Sequence, residues 1–279
     1  MTNISKPIIN PTSEKLFSAI ITKLPQSLLI TGESGVGIST IARYIAEFHK
    51  VSPMVILPEK DEKIDIDKGV IGIDAMRRLY DETRTKVTGR RIIIIDNTER
   101  MTHQAQNAFL KLLEEPSADM YFILVSHSVD KLLPTIVSRA ENLNMKPITS
   151  NQSNKLLDSL GLKDEKKRSQ VLFMAMGLPA ELTRLATDKD YFDNRSATVR
   201  DARELLQGTL YQKLLIAQRY KDDRSSALLL LLDAASIINK SIVTNPQFDT
   251  INYIDKLLTA YQRIEANGNI RLCLARMVI

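Results

Sequence analysis

The chain has 279 residues, 44% of them hydrophobic and 25% charged, with 10 Gly and 10 Pro; that length suits about two domains, and the composition excludes a disordered tail or a collagen-like fibre. A single cysteine, Cys273, excludes an internal disulfide framework and any zinc site built from several thiolates. The net charge of +5 lies wholly in the second half: Lys146 to Ile279 carries 20 Lys/Arg against 15 Asp/Glu, while Met1 to Met145 is balanced at 18 of each. Such a bias is compatible with a nucleic-acid phosphate nearby but is not a strong basic patch.

Met1 to Asn10 contains Lys6 and Pro7 and no apolar block of the signal-peptide kind. The longest apolar run considered for a membrane span, Ala227 to Leu232, is closed by Asp233 and falls far short of the ~20 residues that a bilayer crossing needs. The expectation is a cytoplasmic protein with no membrane association. Strands are predicted at Leu28–Thr31, Met54–Leu57, Ile92–Ile95, Tyr121–Val125 and Asn142–Met145. Between them helices are predicted at Ser39–Lys50, Ile73–Val87, Thr102–Glu115 and Lys131–Val137, with Thr102 as an N-cap and Pro116 as a stop. This alternation reads as βα units around a largely parallel sheet, an α/β domain over residues 1–147. From Thr149 onward the periodicity is helical, broken at Gly161, Gly177 and Pro179. The chain is accordingly divided into 1–147, a small helical segment 148–188, and a helical segment 189–279.

After the first predicted strand comes Gly32-Glu33-Ser34-Gly35-Val36-Gly37-Ile38-Ser39, leading into a helix. That is the context of a P-loop, in which glycines let backbone N–H groups wrap phosphates, a lysine reaches the β and γ phosphates, and a Ser/Thr hydroxyl holds magnesium. Gly32, Gly35, Gly37 and Ser39 are in register, but Ile38 stands where the lysine belongs. Isoleucine brings no charge and no donor, so Mg-ATP binding is expected to be weakened and hydrolysis more so. The second signature, Arg91 to Ile95 followed by Asp96, puts an acid at a strand end where it would orient magnesium. Asn97 then occupies the place of the glutamate that polarises water, and a neutral amide cannot act as a base. Asp96 reads equally as a vestigial metal ligand or as a strand-end acid capping a turn.

Further on the chain reads Asn107-Ala108-Phe109-Leu110-Lys111-Leu112-Leu113-Glu114-Glu115-Pro116, then Phe122-Ile123-Leu124-Val125, then Leu133-Pro134-Thr135-Ile136-Val137-Ser138-Arg139. With Ile71 to Arg77 before the second signature, these segments closely resemble the AAA+ subunits of bacterial DNA polymerase III clamp loaders, and the degenerate ATP site resembles that of the delta-prime class. The resemblance covers roughly residues 10 to 185; the rest matches only as helical. It implies an AAA+ P-loop domain, a small helical lid and an all-α C-terminal collar for oligomerisation. It also implies a stator that does not hydrolyse ATP, with gamma/tau-type motor ATPases and delta as partners in a hetero-oligomer that loads a sliding clamp at primer-template DNA.

In that family the Ser-Arg-Cys motif offers an arginine to the neighbouring motor's ATP site; here it is Ser138-Arg139-Ala140, with the cysteine replaced. A guanidinium forks onto γ-phosphate oxygens, and arginine fingers are worth ~10³ to 10⁵ in rate. Without the family, an arginine closing a helix against its dipole explains Arg139 as well. The sensor arginine of motor subunits has no counterpart at Ala180 in Gly177-Leu178-Pro179-Ala180-Glu181. The zinc module of many relatives is missing, because His49 to Pro53 crosses its place directly. No cofactor and no zinc are therefore expected.

Weak, sequence-independent DNA contact is implied at the starts of the Ile73 and Thr102 helices, with Arg77 and Arg78 as candidates. Pairing of these arginines with Asp74, Asp81 or Glu82 on the same helix is an equal possibility. Glu59 to Lys68 reads as a solvated loop. His49, His103 and His127 lack a ligand partner at metal spacing. Ser126 reads as a strand-end hydroxyl. The alternative to the stator is a motor-type AAA+ ATPase binding ATP through backbone contacts despite Ile38; a third reading is a non-replicative scaffold on a decayed P-loop.

Overall fold

The computed structural model describes residues 6–66, 68–84, 89–116, 119–244 and 249–278. The chain divides into two compact units, Met1–Gly161 with Ala175–Thr183, and Leu162–Met174 with Arg184–Ile279.

The first unit opens with α1 (Pro11–Thr22), β1 (Ser27–Gly32), α2 (Ile38–Phe48) and β2 (Met54–Ile56). A short hairpin of β3 (Glu59–Lys60) and β4 (Lys63–Ile64) leads to α3 (Ile73–Arg84), β5 (Arg91–Ile95), α4 (His103–Glu114), β6 (Met120–Ser126), α5 (Pro134–Val137), β7 (Glu141–Met145) and α6 (Ser150–Ser159). The five longer strands form one parallel sheet in the order β2-β5-β6-β1-β7. Strand alternation sorts the side chains to two faces. Leu28, Ile30, Ile92, Ile94, Ile123 and Val125 pack with α1 and α2 on one face. Leu29, Ile93, Ile95, Phe122 and Leu124 pack with α3, α4 and α5 on the other, where Phe109 meets Phe122 edge-on at 5.2 Å. Strands buried on both faces explain why these segments read as unbroken apolar runs.

All five predicted strands form, each within a residue or so of its expected ends. Thr102 caps α4 as expected, its Oγ1 accepting from the Ala105 N–H at 3.2 Å. The helix expected over Ile73–Val87 runs to Arg84 among the described residues, and 85–87 lie outside them. Three expectations need correction. The helix predicted over Lys131–Val137 is instead a 3-10 turn at Val129–Lys131 and a separate α5, because Pro134 forces extended backbone on Leu133 (ψ 135°) and suits the first helical position. The solvated loop over Glu59 to Lys68 contains the β3–β4 hairpin, turned by Asp61 and Glu62 at φ 50° and 62°. The helix α1 was not expected; Asn10 caps it by accepting from the Thr12 N–H at 2.9 Å, ahead of Pro11.

The second unit is helical: α7 (Glu165–Ala175) and α8 (Pro179–Thr187), each shared at one end with the first unit, then α9 (Lys189–Gln207), α10 (Leu210–Arg219), α11 (Arg224–Thr244), α12 (Asp249–Glu265) and α13 (Ile270–Val278). Its core is Ala202, Leu205, Ile216, Leu230, Leu231, Leu257, Ile264 and Leu274 with their neighbours. Two polar clusters lie against this core. Arg195 of α9 forks onto Asp233 of α11 at 2.6 and 3.0 Å, both buried. Asp201 of α9 accepts from Arg219 Nη1 at 2.6 and 2.7 Å and from the Tyr220 hydroxyl at 3.0 Å.

Burial, with the Asp201 charge and hydrogen bond, pushes the Tyr220 phenol up to about 12. Since an unfolded tyrosine ionises near pH ~10, this contribution to stability is whole below that pH and is lost as the pH climbs to about 12. Titration of tyrosinate absorbance is expected to show a late-ionising phenol that Tyr220→Phe removes; a chain in which Tyr220→Phe leaves the late part of the titration unchanged would contradict it.

Candidate nucleotide-loop and arginine site

The P-loop and its supports lie at the carboxyl ends of β1, β5 and β6. The β1–α2 turn takes the expected shape: Gly35 and Gly37 sit at φ +90° and +92°, which residues with a Cβ rarely adopt. The side chain at the lysine position does not reach out over the loop. Ile38 is 1% exposed and packs in the core with Ile30, Val36, Ile41, Ile45 and Met145. The Val36 N–H donates to the Glu33 carbonyl within the turn at 3.1 Å. Ser39 Oγ donates to Asp96 Oδ1 at 2.8 Å, so the two residues expected to serve a magnesium ion meet each other. Asp96, 5% exposed, also accepts from the Asn97 N–H at 3.1 Å, and Asn97 takes the left-handed conformation at φ 54°.

Two further elements close on the loop, and neither was legible as such in the sequence. His127 Nδ1 lies 2.9 Å from the Gly32 carbonyl oxygen. The Gly177-Leu178 turn brings Leu178 against Gly35, and the Ala180 N–H donates to the Gly35 carbonyl at 3.1 Å. Gly177 permits this approach, since at φ +80° any Cβ would sit 2.5 Å from the Ile148 carbonyl oxygen. Ser126 Oγ is engaged with the backbone of Ser128 at 3.2 Å. The donor set thus lacks a cation toward a phosphate, and the hydroxyl and carboxylate satisfy each other.

Arg139 lies in a different corner, just past α5. Its Nη2 pairs with Glu114 Oε1 at 2.9 Å, and its Nη1 donates to the Thr135 carbonyl at 3.1 Å. The pair remains open to solvent, with side chains 39% and 49% exposed. Ser138 Oγ donates to the Thr135 carbonyl at 3.2 Å. The corner is fixed from beneath by Gln106, a buried amide that sequence reading passed over: its Nε2 donates to the Met101 and Lys131 carbonyls at 3.3 and 3.1 Å, and its Oε1 accepts from the Leu133 N–H at 2.7 Å. Its clue was a polar residue on the inward stripe of α4, between Ala105 and Phe109. With Ile136 buried under the same helix, Gln106 sets where α5, and hence Arg139, sits.

Arg77 and Arg78 are exposed on α3 and are ion-paired, Arg77 to Asp74 at 3.0 Å and Arg78 to Glu59 at 2.9 Å. Among the described residues no cluster of three or more His, Cys, Asp or Glu side chains is arranged to hold a metal ion, and no helix is long and apolar enough to cross a membrane.

Residues 49–149 match the model of the family described as DNA polymerase III, delta subunit. The DNA polymerase III subunit delta' of Pseudomonas aeruginosa is 39% identical over 87 residues, which are 30% of this chain and 25% of that protein. The delta' subunit of Haemophilus influenzae is 30% identical over 124 residues, 44% of this chain and 38% of that one. These matches therefore span well under half of either relative. Among solved structures, a DNA polymerase III gamma subunit-related protein from Thermotoga maritima superposes with a TM-score of 0.58 at 23% identity, over 95% of this chain and 97% of that one; this is a likeness of fold. The sheet order, the loop at β1 and the helical segments that follow give the chain the α/β fold with trailing helices that this structure has. More particularly, residues 49–149 are similar in sequence to the family described as DNA polymerase III, delta subunit, and parts of the chain to the delta' subunits of those two bacteria.

Proposed function

We propose that the chain is a delta-prime-type stator of a DNA polymerase III clamp loader: it does not hydrolyse ATP and supplies Arg139, with Ser138 beside it, to the ATP site of a neighbouring gamma/tau-type motor subunit. The observation that carries this reading is the contrast between two corners of one domain. The chain's own phosphate loop has a core isoleucine in place of its lysine and a Ser39–Asp96 pair turned on itself, while a half-exposed guanidinium is held at a surface corner by Glu114 and Thr135. Gly32, Gly35, Gly37, Ser39 and Asp96 are on this reading vestigial. Residues 148–188 are its lid, and 189–279 are the collar through which it joins the motor subunits and delta. Sliding clamp and primer-template DNA are reached through the complex, with Arg77 and Arg78 as weak phosphate contacts that would first release Asp74 and Glu59, and the setting is the cytoplasm.

The test is reconstitution. The full chain mixed with lysine-bearing motor subunits and delta is expected to co-elute as one complex whose ATPase responds to clamp and primed DNA; a chain that stays separate overturns the reading. Calorimetric titration of the isolated chain with Mg-ATP is expected to give no saturable heat at millimolar nucleotide, and Ile38→Lys is expected to lower thermal stability without creating a site, because it places an ammonium in the core. Saturable binding with turnover by the isolated chain would make it a motor-type ATPase instead.

A further inference from the structure

A cavity of about 530 Å³ lies within the second unit, lined by residues of α7 and α9, and its size falls in the ~300–1,000 Å³ range of ligand pockets. Phe173 and Met174 of α7 and Phe192 and Val199 of α9 give it an apolar floor. Phe192, Ser196, Val199, Arg200 and Arg203 recur at helical spacing along α9, so one face of that helix forms a wall.

The rim is cationic. Arg200 and Arg203 line the mouth, exposed, and make no ion pair or side-chain hydrogen bond with described residues. Lys167 of α7 lies over the Phe192 ring at 4.8 Å, and Lys240 of α11 over the Phe173 ring at 4.0 Å. The lining itself holds two cations, Arg200 and Arg203, against one carboxylate, Asp193. Two arginines one turn apart beside an apolar floor match carboxylates spaced along a chain around an apolar anchor better than the one charge of a compact ligand.

We infer that the cavity docks an acidic peptide segment of a partner protein. One aromatic or large aliphatic side chain enters among Phe173, Phe192 and Val199, and flanking Asp or Glu side chains pair with Arg200 and Arg203. This site is independent of Arg139 and of the phosphate loop.

A phage-displayed library of random peptides, panned on the full chain, tests it. Enriched peptides are expected to share an apolar anchor flanked by Asp or Glu. Fluorescein-labelled copies are expected to lose affinity about tenfold or more against Arg200→Glu/Arg203→Glu, and similarly against Val199→Trp, which fills the cavity. Both variants should keep the parent thermal transition, since the altered side chains lie at the rim or beside empty space. Failure to enrich binders, binders without acidic bias, or equal binding to both variants would overturn the inference. So would displacement of the peptides by labelled oligothymidine with the same dependence on both arginines, which would assign the cations to nucleic-acid phosphates.

Discussion

If the chain is the stator proposed above, Arg139→Ala is expected to lower the clamp- and DNA-stimulated kcat of the neighbouring ATP site in a reconstituted clamp loader by about 10³-fold or more, the scale of losing an arginine finger. The chain's own thermal transition should scarcely move. Arg139 and Glu114 are 39% and 49% exposed, and a pair so open to water contributes only ~0–1 kcal/mol to folding. The fold of the corner rests instead on Ile136 and on the three hydrogen bonds of Gln106. A guanidinium has five N–H donors; Glu114 and Thr135 engage two, one on each terminal nitrogen, and so orient the group while leaving donors for a phosphate. Arg139→Lys should restore little, because a single ammonium cannot take that fork geometry. A kcat unchanged in the Arg139→Ala complex would remove the finger from the mechanism. A loss of kcat accompanied by loss of the complex would instead assign Arg139 a structural part.

Much of the α/β unit was legible because its strands are short, apolar and bounded by turn residues, and because Thr102 and Pro116 mark the ends of α4 in the sequence itself. The break before α5 was equally written there, in Leu133-Pro134, yet helical periodicity from Lys131 to Val137 masked it; backbone exclusion at the residue before proline outweighs side-chain spacing. Asn10-Pro11 likewise announced α1. The glycine-rich turn between β1 and α2 was readable as a turn, with Ile38 following it. The direction of the Ile38 side chain was not, since a core position and an empty phosphate position look alike until the neighbours Ile30, Val36 and Met145 are in place. Contacts such as His127 to Gly32 and Ala180 to Gly35 join residues 95 and 145 positions apart, and no local pattern encodes them. Gln106 lay inside the motif region and signalled itself only as a polar residue on an apolar stripe.

Asp233 shows how differently a residue can read in one dimension and in three. In the sequence it closes the apolar run Ala227 to Leu232; in the fold it continues α11 inward, 2% exposed, and is met there by Arg195, itself 4% exposed. Asp233→Ala is therefore expected to destabilise the second unit by about 3–5 kcal/mol, because removing one partner strands a buried guanidinium. Replacing both ends, Arg195→Met with Asp233→Leu, should recover most of the loss, since a buried ion pair often does no better than well-packed apolar side chains. Denaturant melts of the two single variants and the double variant measure this directly: a strongly non-additive cycle is the expected result, and additive losses would show that each side chain acts through its other neighbours. The same variants separate assembly from chemistry in the proposed stator. Asp233→Ala should weaken co-elution with motor subunits through the collar while Arg139 remains intact, whereas Arg139→Ala should leave the complex whole and slow its turnover.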